Sequence, residues 1–193
     1  MFGLPFVLFV IAMTGTPGPG NLAHMAIGQS SGFRSALPFL AGTTFGGVCL
    51  DTSVAFGLGK VVMASDALAL TLKVVGAVYI LYLAWKVVNL TVDAPGEVKR
   101  FSFRDGALIH PLSPKSWAMA LVAFSQFSDP AAPLIPQVAA FVLTFMFFQI
   151  FFHSLWCVAG VSLVRVLRSA RIRVAVNGVV ALVMVGVTLH ALL

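Results

Sequence analysis

Two short segments of the chain combine prolines and glycines with polar side chains inside otherwise apolar sequence. The first is residues 14–21, Thr-Gly-Thr-Pro-Gly-Pro-Gly-Asn, and the second is residues 110–115, His-Pro-Leu-Ser-Pro-Lys. Proline lacks a backbone N–H and resists continuing a helix, so each segment leaves free backbone groups. A helix that restarts after such a break points its positive N-terminal end at the break, where it can hold a ligand carboxylate. The candidate ligand-binding residues are Thr16, Pro17, Gly18, Pro19, Asn21, Ser113, Pro114 and Lys115.

Three ionisable residues in apolar surroundings are candidates for charge or proton coupling. Lys115 lies deep in an apolar run, where leaving it charged and unpaired in a bilayer costs about 2.5–3.5 kcal/mol. Asp51 also lies in an apolar run and is the natural candidate partner of Lys115. Protonation of Asp51 would couple proton entry to ligand exit, whereas a purely structural Lys–Asp pair is the alternative. His110 lies within the second segment, where it either relays protons or only satisfies freed carbonyls.

The other histidines and the cysteines do not follow a known catalytic or metal-binding motif. His24, His153 and His190 are scattered along the chain, and we interpret them as interior polar or structural residues. Cys49 and Cys157 have no C-x-x-C spacing, and the chain contains neither H-E-x-x-H nor G-x-S-x-G. We therefore expect no metal, no cofactor and no enzymatic activity.

The composition places these residues in a membrane. The chain is 60% hydrophobic and 9% charged, with a mean hydropathy of +1.02, whereas an ordinary soluble domain is about 25% charged. The charge-free stretches are continuous and suit spanning helices of about 20 residues better than barrel strands. This excludes a soluble enzyme or soluble binding domain. The net charge of +6 is spread over short loops and does not indicate a nucleic-acid partner.

We predict an all-α integral membrane protein with six transmembrane helices. Their ranges are roughly 2–28, 37–59, 67–90, 105–125, 137–164 and 174–193. The polar stretch 93–100 divides this single domain, residues 1–193, into halves 1–92 and 101–193. Because each half has three helices, the second half enters the membrane inverted relative to the first. The first and fourth helices carry the two breaks, which is where a 3+3 inverted repeat forms a transport site; two kinks that serve only packing are the alternative.

The basic residues predict the orientation of the chain in the membrane. Lysine and arginine are enriched in cytoplasmic loops. One side of the predicted bundle holds only Lys60 and Lys73. The other side holds Arg34, Lys86, Lys99, Arg100, Arg104, Arg165, Arg168, Arg171 and Arg173. We therefore expect the cytoplasmic (inner) membrane, with both termini outside.

The chain resembles the LysE/RhtB family of amino-acid exporters over nearly its whole length. The most specific element is the Thr-Pro-Gly-Pro of residues 16–19. Further similarity lies in the Gly-Phe-Arg of residues 32–34, in Gly42 and Gly46, and in residues 73–86. The family usually has Asn-Pro-Lys where this chain has Ser113 followed by Pro114 and Lys115.

This resemblance implies a transporter domain that exports amino acids or related small zwitterionic metabolites from the cytoplasm. The family implies secondary active transport, driven by the proton gradient or the membrane potential, and the two halves would alternate access around the breaks. A passive channel and a non-catalytic membrane subunit are the alternatives. The expected partners are the small metabolite, the lipid bilayer and a coupling proton, and a homodimer is compatible with a transporter of this size.

Overall fold

A computed structural model describes residues 2–90, 101–166 and 170–190. Within these residues, all the regular structure is helical. The predicted linker 93–100 lies outside these ranges. The helices are α1 Leu4–Gly15, α2 Pro19–Ser31, α3 Phe33–Ala55, α4 Leu58–Ala64, α5 Asp66–Asn89, α6 Phe103–Ala107, α7 Pro114–Phe127, α8 Leu134–Val166 and α9 Ala170–His190. The all-α prediction is therefore confirmed over the described ranges.

Both predicted helix breaks are present. The first predicted helix is divided into α1 and α2, whose axes differ by 53°. Residue Thr16 and residue Gly18 are extended between them, and Pro19 starts α2 because its fixed φ suits the first helical position. The fourth predicted helix is likewise divided into α6 and α7, and Pro114 starts α7. The first break lies inside the segment 14–21, and the second overlaps the segment 110–115.

Among the described residues, two helices are individually long and apolar enough to cross a bilayer, and there are three such spans if a bent pair of helices is counted as one. The two helices are α5 and α8, and the pair is α1 with α2. The predicted ranges 37–59, 67–90, 137–164 and 174–193 correspond to α3, α5, α8 and α9, although α4 is a separate short helix after Gly57. The count of six spans and their inverted topology stay predictions.

The halves of the chain are interleaved rather than side by side. Helices α1 and α2 pack on α8 of the second half, while α6 and α7 pack on α3 of the first half. Two of these crossings bring backbones into direct contact at glycines. A Cβ added to Gly28 of α2 would lie 2.1 Å from the Cys157 carbonyl oxygen of α8, and one added to Gly106 of α6 would lie 2.2 Å from the Phe39 carbonyl oxygen of α3. Only glycine allows such an approach.

The apolar core is divided into two clusters, and the polar residues of the long helices lie between them. One cluster contains Leu22 of α2, Phe39 of α3 and Leu83 of α5. The other contains Phe6 of α1 and Phe145 of α8. Helices α3 and α8 both contribute to both clusters. In the middle of α8, Gln149 and His153 reach the cavity between the helix breaks, and in the middle of α3, Gly46 packs against Ala107 at the end of α6.

The structure corrects the placement of three lysines that the sequence assigned to loops. Lys86 lies in the last turn of α5 and is buried, with its ammonium 2.8 Å from the carboxylate of Asp105 in α6. Lys73 also lies within α5, and Lys60 lies in α4. The charge count used for orientation therefore included residues that do not lie in loops, and the outward placement of the termini stays a prediction.

Candidate functional site

The two helix breaks meet at a cavity of about 50 Å³, enough for a few water molecules. The cavity is lined by Met13, Thr14, Thr16, Gly18, Pro19, Gly20, Asn21, Ile109, His110, Ser113, Lys115, Ser116, Met119, Gln149 and His153. These residues come from α1, α2, α7, α8 and both breaks. Of the predicted ligand-binding residues, only Pro17 and Pro114 are absent from the lining, because each helps to shape a break rather than facing the cavity.

At the first break, side chains donate hydrogen bonds to the backbone carbonyls that have no helical partner. The amide nitrogen of Asn21 donates to the carbonyl oxygens of Thr14 and Thr16, both at 2.8 Å. The indole nitrogen of Trp156 in α8 donates to the carbonyl oxygen of Gly15 at 3.3 Å. All three carbonyls belong to the end of α1, whose last carbonyls have no partner within the helix. The break is therefore a specific, hydrogen-bonded structure.

The second break is closed by a serine cap at the start of α7. The Ser113 hydroxyl accepts a hydrogen bond from the backbone N–H of Ser116 at 3.3 Å. The Trp117 indole nitrogen donates to the carbonyl oxygen of Pro111 at 2.8 Å. Serine and asparagine are both strong N-cap residues. Ser113 therefore caps α7 in the way that an asparagine at this position could.

Positive charge is concentrated on one wall of the cavity. The Lys115 ammonium donates to the hydroxyl of Thr16 at 3.0 Å and so bridges the two breaks. The N-terminal ends of α2 and α7 face the same space, and neither helix has an acidic residue in its first turn. A helix N-terminus carries partial positive charge and free N–H groups. This wall suits a carboxylate.

Asp51 does not pair with Lys115, contrary to expectation. It is buried in α3, and its carboxylate accepts a hydrogen bond from the amide of Gln149 in α8 at 3.4 Å. Gly47 makes room for that amide, since an added Cβ would lie 2.2 Å from the Gln149 oxygen. Gln149 lines the cavity and Asp51 does not. The acid therefore lies behind Gln149.

Three histidines that are far apart in the sequence lie together at the cavity. The rings of His24 and His153 are stacked, with centroids 4.4 Å apart and planes 11° from parallel. The ring of His110 lies 5.7 Å from that of His153. The spacing of these three histidines along the chain gave no sign of this proximity. Within residues 2–90, 101–166 and 170–190, no group of three or more His, Cys, Asp or Glu has a geometry that could hold a metal.

The sequence analysis did not identify several residues of the site as functional. Gln149 and His153 are four residues apart, which places both on the cavity side of the otherwise apolar helix α8. That spacing was the available signal. No sequence signal marked Met13, Met119 or Trp156, because apolar and aromatic residues are common throughout the chain.

Comparisons with known proteins identify similar chains. A family model described as LysE type translocator matches residues 11–193. The chain is 28% identical over 181 residues to an uncharacterized membrane protein of Vibrio cholerae, covering 90% of this chain and 88% of that protein. It is 27% identical over 159 residues to cysteine/O-acetylserine efflux proteins of Escherichia coli K12 and Shigella flexneri, covering 80% of each chain. No solved structure matches significantly.

Proposed function

The chain belongs to the LysE type translocator family, and from that premise we propose that it exports small amino acids from the cytoplasm. It is a multi-pass membrane protein and a transporter rather than an enzyme. The proposal adds a secondary active mechanism, coupled to protons or the membrane potential, in which the cavity between the breaks opens alternately to either side. It also includes six spans in a 3+3 inverted arrangement in the inner membrane, with both termini outside.

The observation that carries the proposal is the pairing of opposite recognition chemistries in one small cavity. Lys115 and the N-terminal ends of α2 and α7 suit a carboxylate. The side-chain oxygens of Asn21 and Gln149 are buried and accept no hydrogen bond from any described residue. Both residues line the cavity, and the Asp51 carboxylate lies behind Gln149, so we assign recognition of the ligand ammonium group to this side of the cavity. A zwitterionic amino acid requires both kinds of partner.

The chemistry of the cavity lining suits an uncharged side chain. Met13, Ile109 and Met119 supply apolar surface beside the polar groups of a cavity of about 50 Å³. The relatives named as cysteine/O-acetylserine efflux proteins indicate the same class, because both named compounds have uncharged side chains. We propose small neutral amino acids, such as cysteine, serine or O-acetylserine, rather than aromatic or dibasic ones.

The proposal is tested by transport in everted membrane vesicles, whose inward uptake corresponds to export from the cell. Labelled cysteine, serine, O-acetylserine, phenylalanine and lysine are supplied outside, with the proton gradient either imposed or collapsed. We expect the small neutral compounds to accumulate against their gradients and the accumulation to be lost on collapse. Downhill movement alone would indicate a channel and overturn the proposal of active export.

A lysine variant tests the binding site within the same assay. Lys115→Ala removes a charged hydrogen-bonding group, and such groups contribute about 1.5–3 kcal/mol, so we expect uptake to fall at least about tenfold. Lys60→Ala, which removes an exposed lysine of α4, is the matched control and keeps wild-type uptake. Full uptake by Lys115→Ala at equal expression would remove Lys115 from the mechanism.

A further inference from the structure

The stacked histidines form a buried polar group directly behind the ligand cavity. His24 lies in α2, His153 in α8 and His110 in the second break, and all three are at least nine-tenths buried. His110 and His153 line the cavity, whereas His24 lies between His153 and the ring of Phe39, 4.7 Å away. Three titratable rings in contact at a transport cavity call for an explanation beyond apolar packing, since buried polar groups are costly in a membrane.

The hydrogen bonds fix which ring nitrogens are available to a proton. His24 Nδ1 lies 2.8 Å from the carbonyl oxygen of Gly20, which can only accept, so Nδ1 carries the hydrogen. Its Nε2 is buried without a partner among the described residues. Thr43 donates its hydroxyl to the Leu40 carbonyl at 2.9 Å, so toward His153 Nδ1, 3.5 Å away, it acts as the acceptor.

His153 therefore presents its Nε2 lone pair at the cavity wall. A Cβ added to Gly20, the second residue of α2, would lie 3.1 Å from this nitrogen. The glycine at position 20 leaves the space that the imidazole edge occupies. The nitrogen thus lies beside the N-terminal end of α2, at the same wall that suits the ligand.

The charges around the three rings limit them to a single added proton. Lys115 of α7 and the N-terminal ends of α2 and α7 disfavour additional positive charge. The Asp51 carboxylate of α3, reached through Gln149, favours it. His24, stacked 4.4 Å from His153, and His110 are too close for two rings to be cationic together. A ligand ammonium at Gln149 would compete with a cationic His153 one helical turn away.

We propose that His153, with His24 stacked behind it, holds the transported proton and does so in alternation with the ammonium group of the exported amino acid. The proton enters from the outside, binds Nε2 of His153 and is released to the cytoplasm as the ligand leaves in the opposite direction. One proton is exchanged per ligand. This inference rests on the proposed proton-coupled export and replaces Asp51 and His110 as the principal proton site.

The test compares two transport modes of purified protein in proteoliposomes, with labelled O-acetyl-L-serine as the probe. Equilibrium exchange at equal pH on both sides needs binding and reorientation but no net proton movement. Efflux driven by an imposed pH gradient needs binding, reorientation and net proton movement. For His153→Gln, which keeps a polar side chain but cannot titrate, we expect exchange within about fivefold of wild type and no response to the pH gradient. Cys157→Ala, one turn further along α8 and outside the cavity, is the control that keeps both modes.

Each result has a distinct meaning. A wild-type protein that does not respond to the pH gradient would refute proton coupling itself, whatever His153 does. A responsive wild type together with a responsive His153→Gln would overturn the assignment of His153 and leave the exporter intact. Loss of exchange as well as of the pH response would place His153 in ligand binding and also overturn the assignment. If His153→Gln is not monodisperse, His153→Asn is compared in the same way.

Discussion

The ion pair between α5 and α6 allows a quantitative prediction about stability. The Asp105 carboxylate accepts hydrogen bonds from the Lys86 ammonium at 2.8 Å, from the Ser102 backbone N–H at 2.6 Å and hydroxyl at 2.7 Å, and from the Tyr82 hydroxyl at 3.3 Å. The Lys86 ammonium also lies 4.7 Å from the centre of the Phe101 ring. Both charged groups are buried, so removing either one leaves the other without its counter-ion.

The two single substitutions should differ in cost. Breaking a buried pair costs about 3–5 kcal/mol. Lys86→Met leaves Asp105 with three donors, which places its cost near the lower end of that range, about 3 kcal/mol. Among the described residues, Asp105→Ala leaves the ammonium beside aromatic faces alone, and it also removes the capping box of α6, where cap loss adds about 1 kcal/mol. We expect about 5 kcal/mol for Asp105→Ala.

The double substitution then measures the interaction itself. Once Asp105 is absent, replacing Lys86 removes the buried ammonium that Asp105→Ala leaves uncompensated, so the double variant should cost no more than Asp105→Ala alone. The coupling energy should be at least about 3 kcal/mol. The free energy of unfolding is measured in mixed micelles at increasing SDS, with tryptophan fluorescence as the signal. Arg104→Ala removes an exposed neighbouring cation and should stay within about 0.5 kcal/mol of wild type.

Two results would refute this reasoning. A larger cost for Lys86→Met than for Asp105→Ala would mean that the donors from Ser102 and Tyr82 do not stabilise the carboxylate. Additive single costs would mean that the two residues act independently. Either result would show that the ion pair does not stabilise the contact between the first and second halves of the chain.

Three further predictions concern the helix contacts around the site, each measured as unfolding free energy in the same micelles. Gly28→Ala forces α2 and α8 apart and should cost about 1–3 kcal/mol or more. The control Gly186→Ala places a methyl group in open space and should be neutral or stabilise the protein by up to about 1 kcal/mol. Equal effects of the two substitutions would contradict the close-contact argument. Asn21→Ala removes both hydrogen bonds to the end of α1 and should cost about 1–3 kcal/mol; no cost would show that the break is satisfied otherwise. Gln149→Leu leaves Asp51 without its donor and should also cost about 1–3 kcal/mol, and an unchanged stability would show that the 3.4 Å contact is unimportant.

The sequence predicted the breaks well because their cause is local. The closely spaced prolines at positions 17 and 19 and at positions 111 and 114 strongly disfavour a continuous helix, whereas the single Pro38 is accommodated inside α3. The sequence also placed Thr16, Asn21 and Lys115 at a common site, because each follows or lies in a break. Even so, the predicted first helix became two, since the break fully interrupts the hydrogen-bonding ladder.

The partners of the buried polar residues were not predictable, because they depend on how helices from opposite halves cross. Asp51 was the natural candidate partner of Lys115 as the available opposite charge, yet the close approach allowed by Gly47 gives it Gln149 instead. Lys86 was counted among the basic residues of the third loop. Its partner Asp105 lies on the far side of the polar linker, and nothing in the local pattern connects the two.

The interleaving of the halves has a consequence for how the protein is made. Helix α2 leaves the ribosome long before α8, yet α8 supplies the backbone that covers Gly28 and the indole that caps the end of α1. Until α8 is synthesised, the first half carries an unsatisfied break and uncovered polar side chains within the bilayer, where such groups are costly. The first half therefore has no finished structure of its own during biogenesis. Because α8 completes the first break, the fold cannot be completed until the last third of the chain has been synthesised.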